Sequence, residues 1–124
     1  MRSTRHGPVI SDAQPALHGS VLDLRRHVIA LRWSALDADN HTVLAGLLSN
    51  QARSVEELFA GMAHYHSPMQ SVVAADVHGA IRFQAFGRVP LRAADNDLRG
   101  VAPAPGWEAR YDWQGWLPLA QTPQ

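Results

Sequence analysis

Residues 54–86 read SVEELFAGMAHYHSPMQSVVAADVHGAIRFQAF, a sequence that predicts one helix followed by a β-hairpin. The stretch starts with a capping box, in which Ser54 can accept from the amide of Glu57 while Glu57 returns to the amide of Ser54. The apolar residues that follow recur on one helical face: Val55, Leu58, Phe59 and Met62. We expect the helix to end near Ala63, because Ser67 precedes a proline and therefore favours extended geometry.

The second half of this stretch has the pattern of two strands joined by a turn. Ser71–Ala75 is apolar and β-prone, and Asp76–Gly79 has the residue types of a tight turn. Ile81–Phe86 alternates with period 2, as a strand with one buried face does. These features predict an antiparallel hairpin after the helix.

The chain upstream of this helix is predicted to contain a strand, a turn and another helix. His27–Trp33 is β-branched and apolar, which predicts a buried strand, and the polar residues after it predict a turn. Asp39 or Asn40 can cap the next helix, although Gly46 weakens it. The apolar positions of that helix have helical spacing: Val43, Leu44, Leu47 and Leu48. The segment before Ser20 is expected to form short extended pieces joined by turns.

The C-terminal quarter is expected to hold little regular structure. Residues 95–124 contain four prolines, three glycines and three of the four tryptophans of the chain. Prolines and glycines at this density interrupt helices and strands. The tryptophans still represent a large apolar area, so this loop must either fold over the sheet or be covered by a partner.

The composition is typical of one globular domain, residues 1–124. It does not indicate a charged surface that would bind nucleic acid. The chain has 124 residues, of which 46% are hydrophobic and 18% charged, and its length allows a single core. Eleven basic residues balance eleven acidic ones, so we expect no nucleic-acid or membrane partner. The absence of cysteine excludes disulfides, thiolate zinc sites and a cysteine nucleophile. We also expect no secretory signal and no membrane span, and the compartment stays unassigned.

Histidine is frequent enough to raise the question of a metal site. His64 and His66 would project to one face if Tyr65 lay between them on a strand. A third ligand is not identifiable from the sequence. Because an isolated pair is more often solvated or hydrogen-bonded, we favour that interpretation over metal binding.

Other catalytic and binding motifs are weak. The sequence contains no Gly-x-Ser-x-Gly elbow that would expose a nucleophilic serine. Asp95-Asn96-Asp97 is similar to the start of a calcium loop, but it lacks the glycine at the sixth position and the glutamate at the twelfth. We therefore expect a solvated turn at this position.

Several phrases of the sequence, taken in order, resemble the penicillin acylase family. They are TRHGPVI at 4–10, LRW at 31–33, DVHGAI at 76–81, GRVPLR at 87–92 and YDWQGWLP at 111–118. The resemblance covers essentially the whole chain. Two positions depart from the family pattern: Pro-x-Gln-Asn reads Pro68-Met69-Gln70-Ser71, and Gly-Asn-Ile reads Gly79-Ala80-Ile81.

The resemblance implies an α+β fold that is part of the four-layer αββα fold of N-terminal-nucleophile hydrolases. It places the chain inside the β-subunit as a partial domain, with a few antiparallel strands, two short helices and a Pro- and Trp-rich C-terminal loop. The family cleaves linear amides, such as β-lactam side chains or acyl-homoserine lactones. The expected partners are a small-molecule amide, in the whole enzyme, and the remaining parts of that enzyme.

The resemblance also implies that this segment carries none of the family's catalytic residues. The family nucleophile is a serine whose own free α-amine activates it, so it must be the first residue of a mature chain. We expect that serine upstream of this segment, the oxyanion-stabilising asparagine downstream of it, and no catalytic role for Ser3. The family's calcium site takes a carbonyl from a loop that corresponds to Asn96–Val101, but its carboxylates lie elsewhere. We therefore assign no catalytic, cofactor-binding or metal-binding residues, and expect the isolated chain to be inactive. The alternative is a non-catalytic remnant or protein-interaction module.

Overall fold

The computed structural model describes residues 1–14 and 23–124, so the predicted turns at residues 15–20 lie outside the described residues. The strands are β1 (Ser3–Thr4), β2 (Gly7–Pro8), β3 (Gln70–Ala75), β4 (Ile81–Phe86), β5 (Pro90–Arg92) and β6 (Trp113–Trp116). The helices are α1 (Thr42–Gln51) and α2 (Val55–Met62), with 3₁₀ turns at Ser34–Leu36, Ala109–Tyr111 and Leu119–Gln121. Within the described residues the strands pair as three antiparallel two-stranded sheets, β1–β2, β3–β4 and β5–β6. The α+β class is confirmed.

Helix α2 begins and ends where its sequence predicts. The Ser54 hydroxyl accepts the amide of Glu57 at 3.1 Å, which is half of the predicted capping box. The other half is wrong, because the Glu57 carboxylate accepts the amide of Arg53 at 2.8 Å, one residue further back than Ser54. An amide just outside the helix is thereby satisfied in place of the capping residue's own amide.

The hydrophobic core forms where α2 packs on the hairpin β3–β4. Buried Val55 and Phe59 of α2 contact Phe86, which is 0% exposed. The Phe59 and Phe86 rings meet edge to face with their centroids 5.2 Å apart, a favourable arrangement for aromatic pairs. This cluster joins the helix to the sheet.

The predicted alternation of β4 is wrong, because residues 81–83 are all exposed whereas Gln84, Ala85 and Phe86 are all buried. The reason is a long-range contact: the Ala85 amide donates to the carbonyl of Pro123 at 2.9 Å. The Gln84 side chain donates to the carbonyl of Leu119 at 3.3 Å, and Leu119 itself packs on the core. Residues 119–123 therefore cover this end of the strand.

One face of the hairpin is apolar and uncovered. Val73 pairs with Phe83 across the two strands, and Ile81 lies on the same face two residues before Phe83. Their exposed fractions are 71% for Val73, 75% for Ile81 and 40% for Phe83. We call these three residues the outer hairpin face.

Helix α1 is confirmed, but most of its predicted apolar positions are exposed. The exposed apolar residues are Val43, Leu44 and Leu47, whereas Ala45 is completely buried. A Cβ atom on Gly61 of α2 would lie only 2.9 Å from Cβ of Leu48, so the two helices approach closely at this glycine. The missing side chain of Gly61 leaves room for Leu48, which is half-buried, so only this end of the leucine stripe packs on α2. Residue His41 occupies the capping position, while the Asn40 side chain accepts the amide of Thr42 at 2.9 Å.

Replacing Gly46 with alanine is expected to stabilise the chain by about 0.5–1 kcal/mol, because glycine is the weaker helix former. A Cβ atom there would meet nothing within 4 Å. The free energy of unfolding in urea measures the effect. Gly61→Ala, on the neighbouring helix, is the matched control and should destabilise, because its Cβ would collide with Leu48. Equal effects of the two substitutions would contradict the packing described here.

The predicted buried strand at 27–33 is wrong. Within the described residues it makes one isolated bridge, from Ala30 to Val9, and Val28 and Trp33 are 41% and 47% exposed. The segment is held by backbone bonds to the N-terminal residues, including one of 2.9 Å from the Leu31 amide to the carbonyl of Pro8. Among residues 1–14 and 23–124, its β-prone residues have no partner strand of matching length. The turn predicted after it is confirmed, since the Asn40 amide donates to the Asp37 carbonyl at 3.1 Å.

The C-terminal region is more regular than its composition predicts. Trp113–Trp116 pairs with Pro90–Arg92, with an irregularity between Leu91 and Arg92. The rings of Trp113 and Trp116 contact each other edge to face at 5.1 Å, whereas Trp107 is 73% exposed. Residues 93–108 form the irregular loop that the sequence predicts.

Candidate functional site

The most highly organised polar cluster surrounds Arg88, directly after β4. Its guanidinium donates to Asp37 at 2.9 Å and to the two carboxylate oxygens of Asp39 at 2.9 and 2.6 Å. The same group lies over the Trp116 ring, 5.3 Å from its centroid. The Arg88 side chain is only 19% exposed. One arginine thus joins the loop before α1 to β6, and we call this cluster the Arg88 junction.

The electrostatics of the Arg88 junction favour fixed charges over proton transfer. Hydrogen bonds from Arg88 lower the pKa of Asp39 to about 2. The two carboxylates in turn raise the pKa of Arg88 above its ordinary value. A general acid or base needs a pKa near the working pH. The Arg88–Asp39 pair is therefore a structural ion pair.

The His64 and His66 pair lies in the loop after α2, not on the strand that the metal hypothesis requires. His41 approaches it, with its ring centroid 5.5 Å from His66 and 6.4 Å from His64. Over residues 1–14 and 23–124, no three or more His, Asp or Glu side chains are placed to hold a metal ion. The geometry gives the metal hypothesis no support.

A second polar cluster ties the start of the chain to its C-terminal quarter. Arg5 donates to Asp112 at 2.7 Å and to the Gly106 carbonyl at 2.8 Å, and His6 Nε2 lies 2.8 Å from the same carbonyl. The hydrogen bond from Arg5 lowers the pKa of Asp112. Two of the sequence phrases quoted above, TRHGPVI and YDWQGWLP, therefore meet in space.

The calcium-like motif at residues 95–97 and Ser3 both make hydrogen bonds within the chain. Asn96 is buried and its side-chain oxygen accepts the amide of Arg99 at 2.8 Å, so the expectation of a fully solvated turn is wrong at this residue. Asp97 is exposed and accepts the Tyr111 hydroxyl at 2.9 Å, a hydrogen bond that lowers the pKa of Asp97. The Ser3 hydroxyl is exposed and donates to the Gly7 carbonyl at 3.3 Å.

An open cavity of about 260 Å³ lies between the start of α2 and the hairpin turn. Its acidic residue is Asp76, whose carboxylate accepts the amides of Val55, His78 and Ala80 at 2.8 to 3.2 Å. These bonds lower the pKa of Asp76. The hydrogen bonds of this carboxylate hold the hairpin turn against α2.

Sequence reasoning placed Arg88 in a family-like phrase but assigned it no contacts. Its acidic partners lie 49 and 51 residues away in the sequence, so no local pattern could pair them.

Across the part of the chain that the structure describes, none of the helices has the length and apolar character to cross a membrane.

Comparison with known proteins gives a consistent family relationship. The sequence matches the penicillin amidase family over residues 1–124. It is 34% identical to penicillin acylase 2 proenzyme of Pseudomonas sp. (strain SE83), over 98% of this chain and 14% of that protein. It is 29% identical to acyl-homoserine lactone acylase QuiP of Pseudomonas aeruginosa, over 100% of this chain and 15% of that protein. The chain thus spans about one seventh of the length of these relatives.

Proposed function

Because the chain belongs to the penicillin amidase family, we propose that it is an internal segment of the β-subunit of an amidohydrolase that cleaves linear amides. The observation that carries this proposal is a family match over all 124 residues in a chain that spans 14% of a penicillin acylase relative. The relatives' names indicate penicillins and acyl-homoserine lactones as the substrate classes.

In the whole enzyme the reaction would proceed through an acyl-enzyme on an N-terminal serine, activated by its own α-amine. The polar clusters of this segment support a scaffolding role in that reaction. Arg88 with Asp39, Arg5 with Asp112, and the Asp76 turn are each closed by their own hydrogen bonds. The segment would position substrate-binding walls, while the nucleophile and the oxyanion-stabilising groups come from other parts of the enzyme.

The uncovered apolar surfaces support a segment that packs against more protein. The outer hairpin face lies opposite the face that packs on α2, so the sheet is apolar on both sides. A sheet of this kind is stable when each apolar face is covered by another layer. Val43 and Leu47 of α1 add a second uncovered apolar surface.

The isolated chain is expected to hydrolyse no phenylacetyl, glutaryl or long-chain acyl amide. Loss of a single oxyanion donor already costs about 10²–10³ in rate, and this segment would lack that donor and the nucleophile as well. A steady-state assay of the purified chain measures this. Turnover that disappears on substitution of one serine, with Ser3→Ala as the first variant, would contradict the proposal.

The flanking coding sequence provides an independent test. A reading frame that continues upstream to a serine at a processing site supports the proposed segment of an enzyme. A stop codon or frameshift there contradicts it and favours the second candidate, a non-catalytic interaction module. The outer hairpin face would be the binding surface of this second candidate, and a defined complex with an unrelated protein would identify such a module.

A further inference from the structure

Three histidine rings gather where the loop after α2 meets the first turn of α1. His41 lies at the centre of this contact, with its ring centroid 5.5 Å from that of His66 and 6.4 Å from that of His64. The loop is fastened to α1 by Thr42, whose hydroxyl oxygen accepts the amides of His66 and Ser67 at 3.1 Å each. The carbonyl of His66 accepts the amide of Arg88 at 2.8 Å. Residue 66 therefore contacts both α1 and the Arg88 junction.

The ring of His66 acts as a hydrogen-bond acceptor. Its Nδ1 accepts the backbone amide of His41, at 3.3 Å, and this is possible only when Nδ1 carries no proton. Protonation of Nδ1 would place one N–H group against another. The acceptor also lies at the N-terminal end of α1, where the helix dipole disfavours an added positive charge.

The charges that face His66 come from several elements. Arg88 follows β4, Asp37 and Asp39 precede α1, His41 caps α1, and His64 is in the same loop as His66. Both carboxylates already bind the guanidinium of Arg88. Protonation of His66 would add a cation beside Arg88. The two carboxylates favour that proton, whereas burial of the ring and the charge of Arg88 oppose it, and the opposing effects are the larger.

We propose that His66 makes this junction acid-sensitive, so that gain of a proton at Nδ1 breaks its hydrogen bond to the His41 amide and weakens the attachment of residues 64–67 to α1 and to the Arg88 junction. The proposal does not rest on the proposed amidohydrolase function. It follows from the acceptor role of Nδ1, from its place at the N-terminal end of α1 and from the partial burial of the ring beside Arg88.

The direction of the pH dependence follows from the difference in His66 protonation between the folded and the unfolded chain. Burial, and next the charge of Arg88, lower the pKa of His66 below its ordinary value of about 6.5. The unfolded chain then binds the proton first as the pH falls. The contribution of His66 to the free energy of unfolding is complete above about pH 6.5. It is lost as the pH falls through the lower pKa that His66 has in the folded state.

The test combines a histidine NMR titration of the full chain with urea unfolding between pH 5 and 8. We expect the His66 resonance to titrate below pH 6.5. The unfolding equilibrium constant of the unsubstituted chain should rise, as the pH falls, by up to about tenfold more per pH unit than that of His66→Asn. Asparagine at 66 keeps a side-chain acceptor near the position of Nδ1 but does not titrate.

The matched control is His78→Asn in the exposed hairpin turn, which removes a histidine far from the Arg88 junction and should not reproduce the effect of His66→Asn. A His66 resonance that titrates at or above pH 6.5 would overturn the proposal, as would equal pH dependence in the unsubstituted chain and His66→Asn. The titration of the unsubstituted chain decides the question even if the variant does not fold.

Discussion

Replacing Phe86 with alanine is expected to destabilise the chain by about 3–5 kcal/mol, the cost of emptying a well-packed aromatic site in a core. Phe86 is 0% exposed and packs edge to face on Phe59, so its removal takes the centre out of the contact between α2 and the hairpin. A loss of this size is a large fraction of the total stability of a small domain. Circular dichroism during urea unfolding measures it.

Phe83→Ala is the matched control for this prediction. Phe83 is three residues before Phe86 in β4, on the outer hairpin face, and is 40% exposed. Its substitution should cost about 1 kcal/mol or less in the isolated chain, because it leaves no enclosed cavity. Similar losses for the two variants would show that the core is not centred on Phe86.

Replacing Gly87 with alanine is expected to cost about 3 kcal/mol or more. Gly87 has φ +119°, a conformation that alanine rarely adopts, and its Cβ would lie 2.7 Å from Cα of Met69. Relief of this collision requires movement of the backbone at the start of β3 or just before Arg88. Urea unfolding should show the loss in stability, and near-ultraviolet circular dichroism should show the changed surroundings of Trp116.

Gly79 separates the effect of backbone strain from that of the steric collision. It also has a positive φ, +86°, but a Cβ atom there would meet nothing within 4 Å. Gly79→Ala should therefore cost about 1 kcal/mol, from backbone strain alone. A Gly87→Ala variant no less stable than Gly79→Ala would contradict the close contact between Gly87 and Met69.

Local signals predicted the elements that depend on local contacts. The cap at Ser54 and the turn at Asp76–Gly79 are formed by residues within a few positions of each other, so α2 and the hairpin appear where the sequence places them. The buried face of α1 was not predictable in this way. It depends on Gly61, a residue of the next helix whose missing side chain brings the two helices together.

Pairing across long separations accounts for the other errors. The segment 27–33 has β-prone residues, but the chain that lies beside it offers one bridge at Val9. Trp113–Trp116 has the prolines and glycines of a loop around it, yet it finds Pro90–Arg92 as a partner. The contacts of Arg88 have the same character, because both carboxylates come from a distant loop. Periodicity and turn chemistry describe neighbours in the sequence, and these contacts join residues far apart in it.

The contact of residues 119–123 with β4 has a consequence for synthesis of the protein on the ribosome. Gln84 and its partner Leu119 are separated by 35 residues, so α2 and the hairpin emerge well before the segment that covers them. During this interval α2 can already cover one face of the hairpin, while the end of β4 stays open. Nascent chains in this state are prone to aggregate and are typical clients of chaperones that bind exposed apolar strands. The order of translation therefore delays completion of this contact until residues 119–123 have left the ribosome.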